Sequence, residues 1–243
     1  MSERARPAGR RTDAAVARPL AEALFTPLAA DYERWATVLS LGQDPRWRRT
    51  LAEGLDLPPG SRVLDAAAGT GSITGALARA AWEPVAVDLT RSMLRRAARR
   101  GFPAVEASAE ELPFVDASFD GATFGYLLRY VASPLDTLRE IHRVLRPGGQ
   151  VGMLDFGRPV GPWGPPWWLY TRVGLPLAGA VVDRFSSGGW FHVGRFLGPS
   201  IDGYYRRHPL KSTPVLWEEA GFTDVRVRSM SLGGGLIVWA RRP

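Results

Sequence analysis

Between residues 61 and 156, short apolar segments alternate with stretches of helical periodicity, and this alternation constrains the fold more than any other feature of the chain. Each apolar segment has the length of a strand, and each is followed by residues that favour a helix. Strands that alternate with helices form a parallel sheet with right-handed crossovers. The predicted strands are residues 62–66, 84–88, 103–107, 119–126 and 150–156, with a final strand pair at 223–231 and 234–241.

Several helix boundaries can also be predicted from the residues. Residues 20–57 carry an amphipathic helical pattern. The helix that begins after Ser133 has a complete start signal, because Ser133 can cap the first N–H groups, Pro134 suits the first turn and Asp136 stands at the third helical position. The Pro-Gly-Gly segment at residues 147–149 is expected to end this helix and to turn the chain into the fifth strand.

Composition excludes several classes of chemistry. The 243 residues contain no cysteine and only three histidines, so disulfides, thiolate nucleophiles and a transition-metal centre are not expected. No charge-free stretch reaches the ~20 apolar residues that a membrane-spanning helix needs. No apolar run near Met1 resembles a secretory signal. We therefore expect a cytoplasmic protein.

The chain divides into a tail and one domain. Residues 1–19, rich in Arg, Ala and Pro, are expected to form a mobile tail, and residues 20–243 a single domain. Within the domain, residues 157–210 interrupt the strand–helix alternation. Because a structureless loop of that length is rare in a compact domain, we expect an inserted helical cap. Its aromatic residues are Trp163, Trp167, Trp168, Tyr170, Trp190, Phe191, Tyr204 and Tyr205.

The residues that could bind a ligand lie where the first two strands end. Asp65 ends the first strand, the glycine turn at residues 69–71 follows it, and Asp88 ends the second strand. The glycines let a ligand approach the backbone, and an acid at Asp88 can accept the hydroxyls of a ribose. Thr74 stands where a dinucleotide motif has its third glycine. Asp65 is placed to meet the amino group of S-adenosylmethionine (SAM), so the pattern favours SAM over a dinucleotide.

Three further motifs accompany this set: Ser108-Ala109-Glu110-Glu111-Leu112-Pro113-Phe114, Ser118-Phe119-Asp120 and Arg143-Val144-Leu145-Arg146-Pro147-Gly148-Gly149. Together they resemble class I SAM-dependent methyltransferases over residues 24–241. The resemblance implies an α/β fold, with a Rossmann-like seven-stranded sheet, flanking helices and an aromatic-rich helical cap. The cofactor-binding residues that it implies are Asp65, Ala67, Gly69, Thr70, Gly71, Asp88, Leu89, Met93, Ser108, Ala109, Glu110 and Gly125.

The resemblance can be narrowed to one group of these enzymes. Tyr32 with residues 39–49, together with residues 154–159, 175–179 and 231–235, is similar to the quinone-ring C-methyltransferases, which act on demethylmenaquinone or polyprenyl-benzoquinol. This resemblance implies transfer of a methyl group to a ring carbon of a hydroquinone such as demethylmenaquinol.

Such a transfer requires protein side chains that activate the methyl acceptor. A ring carbon of a hydroquinone becomes nucleophilic when the adjacent hydroxyl loses its proton, so a base or a cation that favours the phenolate would help. Arg129 is the first candidate for a catalytic residue, with Tyr32 and Asp155 beside it. Tyr126 and His192 are weaker candidates.

An apolar, quinone-like substrate fits the aromatic cap. The polyprenyl tail of such a substrate lies in a bilayer, and the protein has a net charge of +7, so we expect peripheral contact at the inner face of the membrane.

The resembling family has Asn or Asp where this chain has Ser108, and Asn where it has Tyr130. A SAM methyltransferase of another apolar metabolite therefore stays an alternative, as does a SAM-binding regulator without catalysis. The hypothesis of a nucleic-acid-binding or modifying protein would rest on charge alone, because residues 91–100 have no aromatic residues between their arginines. We therefore expect no nucleic-acid partner. The sequence does not predict the oligomeric state.

Overall fold

Seven strands pair into one sheet in the computed structural model, which describes residues 23–243. Their spatial order is β3-β2-β1-β4-β5-β7-β6. The predicted tail at residues 1–19 lies outside the described residues. The strands are β1 (Arg62–Ala66), β2 (Glu83–Asp88), β3 (Ala104–Glu106), β4 (Phe119–Gly125), β5 (Leu145–Phe156), β6 (Thr223–Met230) and β7 (Gly235–Arg241).

The pairing brings the carboxyl ends of the first five strands to one edge. These strands run parallel, and β7 lies antiparallel between β5 and β6. Asp65 on β1 stands in register with Ala86 on β2 and with Thr123 on β4. The predicted α/β architecture with a seven-stranded sheet is confirmed, and ligand sites of such sheets lie at this edge.

Helices flank both faces of the sheet. On one face, α2 and α3 pack against side chains such as Val63 and Leu154. On the other face, α5 and α9 pack against side chains such as Leu64 and Phe124. The helices are α1 (Tyr32–Leu39), α2 (Gln43–Glu53), α3 (Ser72–Arg79), α4 (Arg91–Arg99), α5 (Pro134–Val144), α6 (Gly164–Leu169), α7 (Leu175–Val182), α8 (Trp190–Arg207) and α9 (Thr213–Glu219).

The expected helical stretch at residues 20–57 is interrupted. Its described part contains a short 3-10 helix at Pro27–Ala30, then α1 and α2. The break between α1 and α2 falls at Leu41 and Gly42, which have φ of 53° and 75°. Both angles lie in the left-handed region, which ends a helix.

The start signal of α5 works as predicted, but its end differs. The backbone N–H of Asp136 donates to the Ser133 hydroxyl at 3.2 Å, and Pro134 occupies the first turn. The fifth strand begins at Leu145 rather than at Gln150, so the Pro-Gly-Gly segment lies within β5. The strand pairing is shifted there, between Phe119 and Gly121 of β4.

Residues 157–210 contain α6, α7 and α8, and the division into domain and cap stays a prediction. A wide helical turn at Tyr170–Gly174 joins α6 to α7. Glycines allow α7 and α8 to touch, because a Cβ on Gly179 would lie 2.5 Å from the Trp190 carbonyl oxygen and one on Gly194 would lie 2.7 Å from that of Leu175. The Tyr205 hydroxyl of α8 donates to the Phe156 carbonyl at 2.6 Å, which fixes these helices to the end of β5.

Candidate active site

The glycine turn after β1 has the conformation that its sequence predicts. Gly69 and Gly71 have φ of 58° and 84°, and Ala67 also lies in the left-handed region at 55°. A Cβ at Gly71 would meet the Ala97 methyl group at 3.0 Å. The turn therefore needs glycine at residue 71 both for its backbone angle and for its contact with α4.

Asp88 holds this turn in place from the end of β2. One carboxylate oxygen accepts the backbone N–H of Gly69 at 2.7 Å, and the other accepts that of Thr90 at 2.7 Å. Burial raises the pKa of Asp88, and the N–H groups act in the opposite direction. Each carboxylate oxygen can accept more than one hydrogen bond, so Asp88 can still receive the hydroxyls of a ribose.

Asp65 lies beneath the turn. It is fully buried, and its carboxylate accepts the hydroxyls of Thr74 at 2.6 Å and Thr123 at 3.0 Å. Burial raises its pKa from 3.8 to about 6. In this structure Asp65 joins β1, β4 and α3, and its contact with an amino group of SAM stays a prediction.

The remaining predicted cofactor residues extend from the glycine turn along the same edge of the sheet. Met93 is buried on α4, with its terminal methyl group beside Gly69. After β3, the Glu110 backbone N–H donates to the Ser108 hydroxyl at 3.1 Å. Ala109 is buried between them, Leu89 is half-buried after β2, and Gly125 ends β4. Acidic side chains and left-handed glycines fit a cofactor that carries a ribose and a positive charge.

The glycine turn is also tied to α1, which sequence reasoning missed. A Glu33 carboxylate oxygen accepts the Thr70 hydroxyl at 2.8 Å and the Arg100 guanidinium at 2.6 Å. The same guanidinium donates to the Thr70 carbonyl at 3.2 Å. Because these residues are far apart in the chain, no local pattern could have indicated the contact.

A cavity of about 350 Å³ lies beside this edge, between α1, α2, the end of β4 and the cap helices. Most of its wall is aromatic or aliphatic. Its lining residues include Phe25, Tyr32, Leu39, Leu41, Asp44, Trp47, Tyr126, Arg129, Tyr130, Phe156, Trp163, Trp167, Tyr170, Trp190, Leu197 and Leu232. Predicted candidates Tyr32, Tyr126 and Arg129 thus meet in one place, whereas His192 is exposed on α8 and is not among the lining residues.

One polar cluster in the cavity wall contains two tyrosines and an ion pair. Tyr126 donates its hydroxyl to Asp44 at 2.7 Å, and Arg48 donates to the other oxygen of Asp44 at 2.7 Å. The Arg48 charge also acts on Tyr32 and lowers the pKa of its hydroxyl, against the larger opposing effect of burial. Asp44 and Arg48 were not predicted as site residues. Their spacing of one helical turn on α2 indicates that they can pair, but nothing local indicates that they face a cavity.

Arg129 and Asp155, both predicted as catalytic, are partners of each other. The Arg129 Nε donates to Asp155 at 2.9 Å, and the two side chains are 1% and 3% exposed. A second guanidinium nitrogen of Arg129 donates to the Ser200 hydroxyl at 3.2 Å. Burial raises the pKa of Asp155, against the opposing effect of the Arg129 charge. Arg129 is therefore a lining residue of the cavity whose buried guanidinium is compensated by Asp155.

Comparisons with known proteins agree with this geometry. Residues 12–241 match the model of the ubiE/COQ5 methyltransferase family. The chain is 36% identical to a demethylmenaquinone methyltransferase of Renibacterium salmoninarum, over 90% of each chain. It is 33% identical to the ubiquinone/menaquinone biosynthesis C-methyltransferase UbiE of Desulfotalea psychrophila, over 91% of this chain and 89% of that one.

Solved structures share the fold at lower identity. A SAM-dependent methyltransferase of Thermotoga maritima superposes with a TM-score of 0.60 at 17% identity, over 91% of this chain and 99% of that one. Phosphoethanolamine N-methyltransferase 2 of Haemonchus contortus, in complex with SAM, superposes with a TM-score of 0.57 at 15% identity, over 82% of this chain and 52% of that one.

Proposed function

Because this chain belongs to the ubiE/COQ5 methyltransferase family, we propose that it transfers the methyl group of SAM to a ring carbon of a hydroquinone such as demethylmenaquinol. The chain is a SAM-dependent methyltransferase. The observation that best supports a ring substrate is the cavity, which has aromatic walls and lies at the sheet edge that carries the glycine turn. Flat aromatic side chains suit a flat apolar ring.

The cofactor supplies a methyl group that is already activated on a cationic sulfur. We assign the ribose to Asp88 and the adenine to the segment of Ser108, Ala109 and Glu110. The glycine turn, held by Asp88 and by Glu33, gives the cofactor close access to the backbone. These residues position the cofactor, and positioning is the main contribution that such a transfer requires.

The acceptor needs a hydroxyl that can lose its proton while the ring carbon forms its new bond. We propose that Arg129 stabilises the developing phenolate with its positive charge, and that Asp155 holds the guanidinium in the cavity wall. Tyr32 lies in the same wall and can donate to a substrate oxygen. The ring carbon gains the methyl group and loses its hydrogen as a proton, so the reaction releases one proton overall.

The test uses the full chain, SAM with a labelled methyl group, and reduced demethylmenaquinone in detergent. Mass spectrometry should find the label on the quinone ring, and Asp88→Ala should abolish the transfer. Asp224→Ala is the matched control, because Asp224 is an exposed carboxylate of β6 far from the site. Binding of SAM without any labelled quinone would exclude this substrate and direct the search to other apolar acceptors.

We also propose that the mouth of the cavity meets a lipid bilayer. Leu41, Trp163 and Leu232 line the cavity and are 77%, 49% and 64% exposed, so they form its rim. Among the residues that the structure describes, no helix is long and apolar enough to cross a membrane. Contact would therefore be peripheral, and it would let a substrate with a polyprenyl tail enter the cavity from the bilayer.

A stripe of apolar side chains on the cap supports this proposal. Leu169, Val173, Leu177 and Val181 follow one another at helical spacing across α6 and α7, and each is 43% to 63% exposed. Exposed apolar patches of this kind mark interaction surfaces. The net charge of +7 favours a bilayer with anionic lipids.

Sedimentation with vesicles of anionic phospholipid at low salt tests the bilayer proposal. The protein should sediment with the vesicles, and a Leu169→Ser, Leu177→Ser variant should stay in the supernatant. Val115→Ser is the control, because Val115 is 77% exposed but lies in the loop before β4. Equal sedimentation of all three proteins would contradict the proposed surface.

A further inference from the structure

The cluster of Tyr32, Asp44, Arg48 and Tyr126 (the tyrosine–ion-pair cluster) is placed where the substrate cavity approaches the cofactor edge. Tyr32, Asp44 and Tyr126 line the cavity, and Arg48 lies behind them. Tyr126 follows the last residue of β4 directly and has a φ of 59°. A bulky side chain at positive φ is a strained conformation that the surroundings must hold, and such strain is concentrated at functional sites.

Contacts on both sides fix the Tyr126 side chain. Its ring stacks on Phe156 with 4.7 Å between ring centroids, and the Arg48 guanidinium lies over the ring at 5.5 Å. Its hydroxyl donates to Asp44 at 2.7 Å. The oxygen of Tyr126 is therefore held in one position in the cavity wall.

The ion pair determines the direction of the hydrogen bond that Tyr126 makes. An ionised carboxylate only accepts, so the single hydroxyl proton of Tyr126 points to Asp44, and the Tyr126 oxygen can only accept from a molecule in the cavity. Tyr32 also lines the cavity, and its hydroxyl carries a proton that it can donate to a molecule there.

Both tyrosines keep their protons at neutral pH. Burial raises the pKa of Tyr32 to about 12, although the Arg48 charge lowers it. Burial and the Asp44 carboxylate raise the pKa of Tyr126 well above its ordinary value. Neither residue is therefore a phenolate base, and their contribution is the direction of their hydrogen bonds.

We propose that the Asp44–Arg48 ion pair makes Tyr126 an obligate acceptor, so that the cavity selects the reduced hydroquinone over the oxidised quinone. This inference rests on the proposed function. A hydroquinone hydroxyl can donate to Tyr126, whereas a quinone carbonyl would place one acceptor against another. A site built for a substrate hydrogen bond discriminates strongly against a molecule that cannot make it. The selection has chemical value, because only the reduced ring is nucleophilic.

Two substitutions give different expected results. Tyr126→Phe removes the acceptor and should weaken hydroquinone binding roughly tenfold, while quinone binding stays the same or improves. Asp44→Asn reverses the hydrogen bond. Because Arg48 can only donate, it takes the amide oxygen of the new side chain, and the amide nitrogen then donates to Tyr126. The Tyr126 proton turns to the cavity, so quinone binding should tighten while hydroquinone binding weakens.

The experiment measures the equilibrium binding of two probes to the full chain under anaerobic conditions. The probes are a naphthoquinone with a short isoprenoid chain and its dithionite-reduced hydroquinone, each quantified by ultrafiltration and chromatography. Tyr204→Phe is the matched control, because Tyr204 is a buried tyrosine of α8 that does not line the cavity. Wild type and Tyr204→Phe should prefer the hydroquinone about tenfold, and both cluster variants should lose that preference.

The outcomes separate this inference from the proposed function. If the wild type methylates the hydroquinone but Tyr126→Phe keeps the full preference for the reduced form, the inference is wrong and the proposed function stands. If the wild type binds neither form and transfers no methyl group, the proposed function itself fails. A folded Asp44→Asn variant that prefers the quinone would support the inference directly, and Tyr126→Phe decides the question if Asp44→Asn does not fold.

Discussion

Asp65 should make the stability of the cofactor-free protein depend on pH in an unusual direction. It is fully buried, and burial raises its pKa from 3.8 to about 6. Below pH 3.8 the carboxyl is protonated in both the folded and the unfolded chain. As the pH rises from there to about 6, the unfolded chain loses the proton first, so the free energy of unfolding falls. The shift of about two pKa units corresponds to ~3 kcal/mol, which is fully lost above that window.

Asp65→Asn removes this titration, because an amide stays neutral. The variant can keep the local hydrogen bonds, since the hydroxyls of Thr74 and Thr123 can accept as well as donate. Relative to the wild type, its free energy of unfolding should therefore rise by up to ~3 kcal/mol between about pH 4 and pH 7.

Urea denaturation of both proteins without SAM, at several pH values across this range, measures the difference. Asp224→Asn serves as the control, because its carboxylate is 74% exposed. A difference between wild type and Asp65→Asn that is independent of pH, or that favours the wild type as the pH rises, would refute the reasoning.

Three further predictions concern the turn and the buried charges. Gly71→Ala must hold a left-handed φ of 84° with its new methyl group 3.0 Å from Ala97, so it should lose ~1–3 kcal/mol in thermal unfolding and bind SAM more weakly in calorimetry. Asp155→Asn leaves Arg129 buried without its counter-charge, so its free energy of unfolding, measured by urea denaturation, should fall by ~3–5 kcal/mol. The double variant Arg129→Met, Asp155→Leu should lose far less stability but should no longer transfer the methyl group. Glu33→Ala should release α1 from the glycine turn, which faster hydrogen exchange of the α1 amides would report.

The sheet could be predicted because its signals are local. Residues 62–66 form β1 with the predicted bounds, and Ser133 caps α5 through the contact that its sequence indicates. The interruption between α1 and α2 could not be predicted in the same way, because the amphipathic pattern continues across Leu41 while its backbone is left-handed. The early start of β5 likewise depends on pairing with β4, which the residues of β5 do not encode alone.

Single residues of the site could be predicted, but their partners could not. Asp88 and the glycine turn follow from the rule that ligand sites lie at the carboxyl ends of parallel strands. Arg129 and Asp155 were each predicted as catalytic candidates, yet their ion pair becomes visible only when the segment after β4 and the end of β5 are placed together. Asp44 was missed, because its partner Tyr126 lies on a strand end that is distant in sequence.

The two ion pairs of the cavity wall are informative because stability alone does not account for them. A buried ion pair can be replaced by apolar residues of similar volume at little cost in stability, so its presence in an aromatic cavity calls for a functional reason. In Asp44–Arg48 and in Arg129–Asp155 the two charges balance each other. No charged side chain of these pairs therefore needs a counter-ion from the ligand, and the cavity can accept an uncharged ring. Each pair nevertheless fixes the orientation of a polar group in the cavity wall. Asp44 turns the Tyr126 proton away from the cavity, and Asp155 holds the positively charged Arg129 in the cavity wall. Such fixed dipoles stabilise charge that develops during the reaction, which is the type of stabilisation that methylation of a neutral hydroquinone needs.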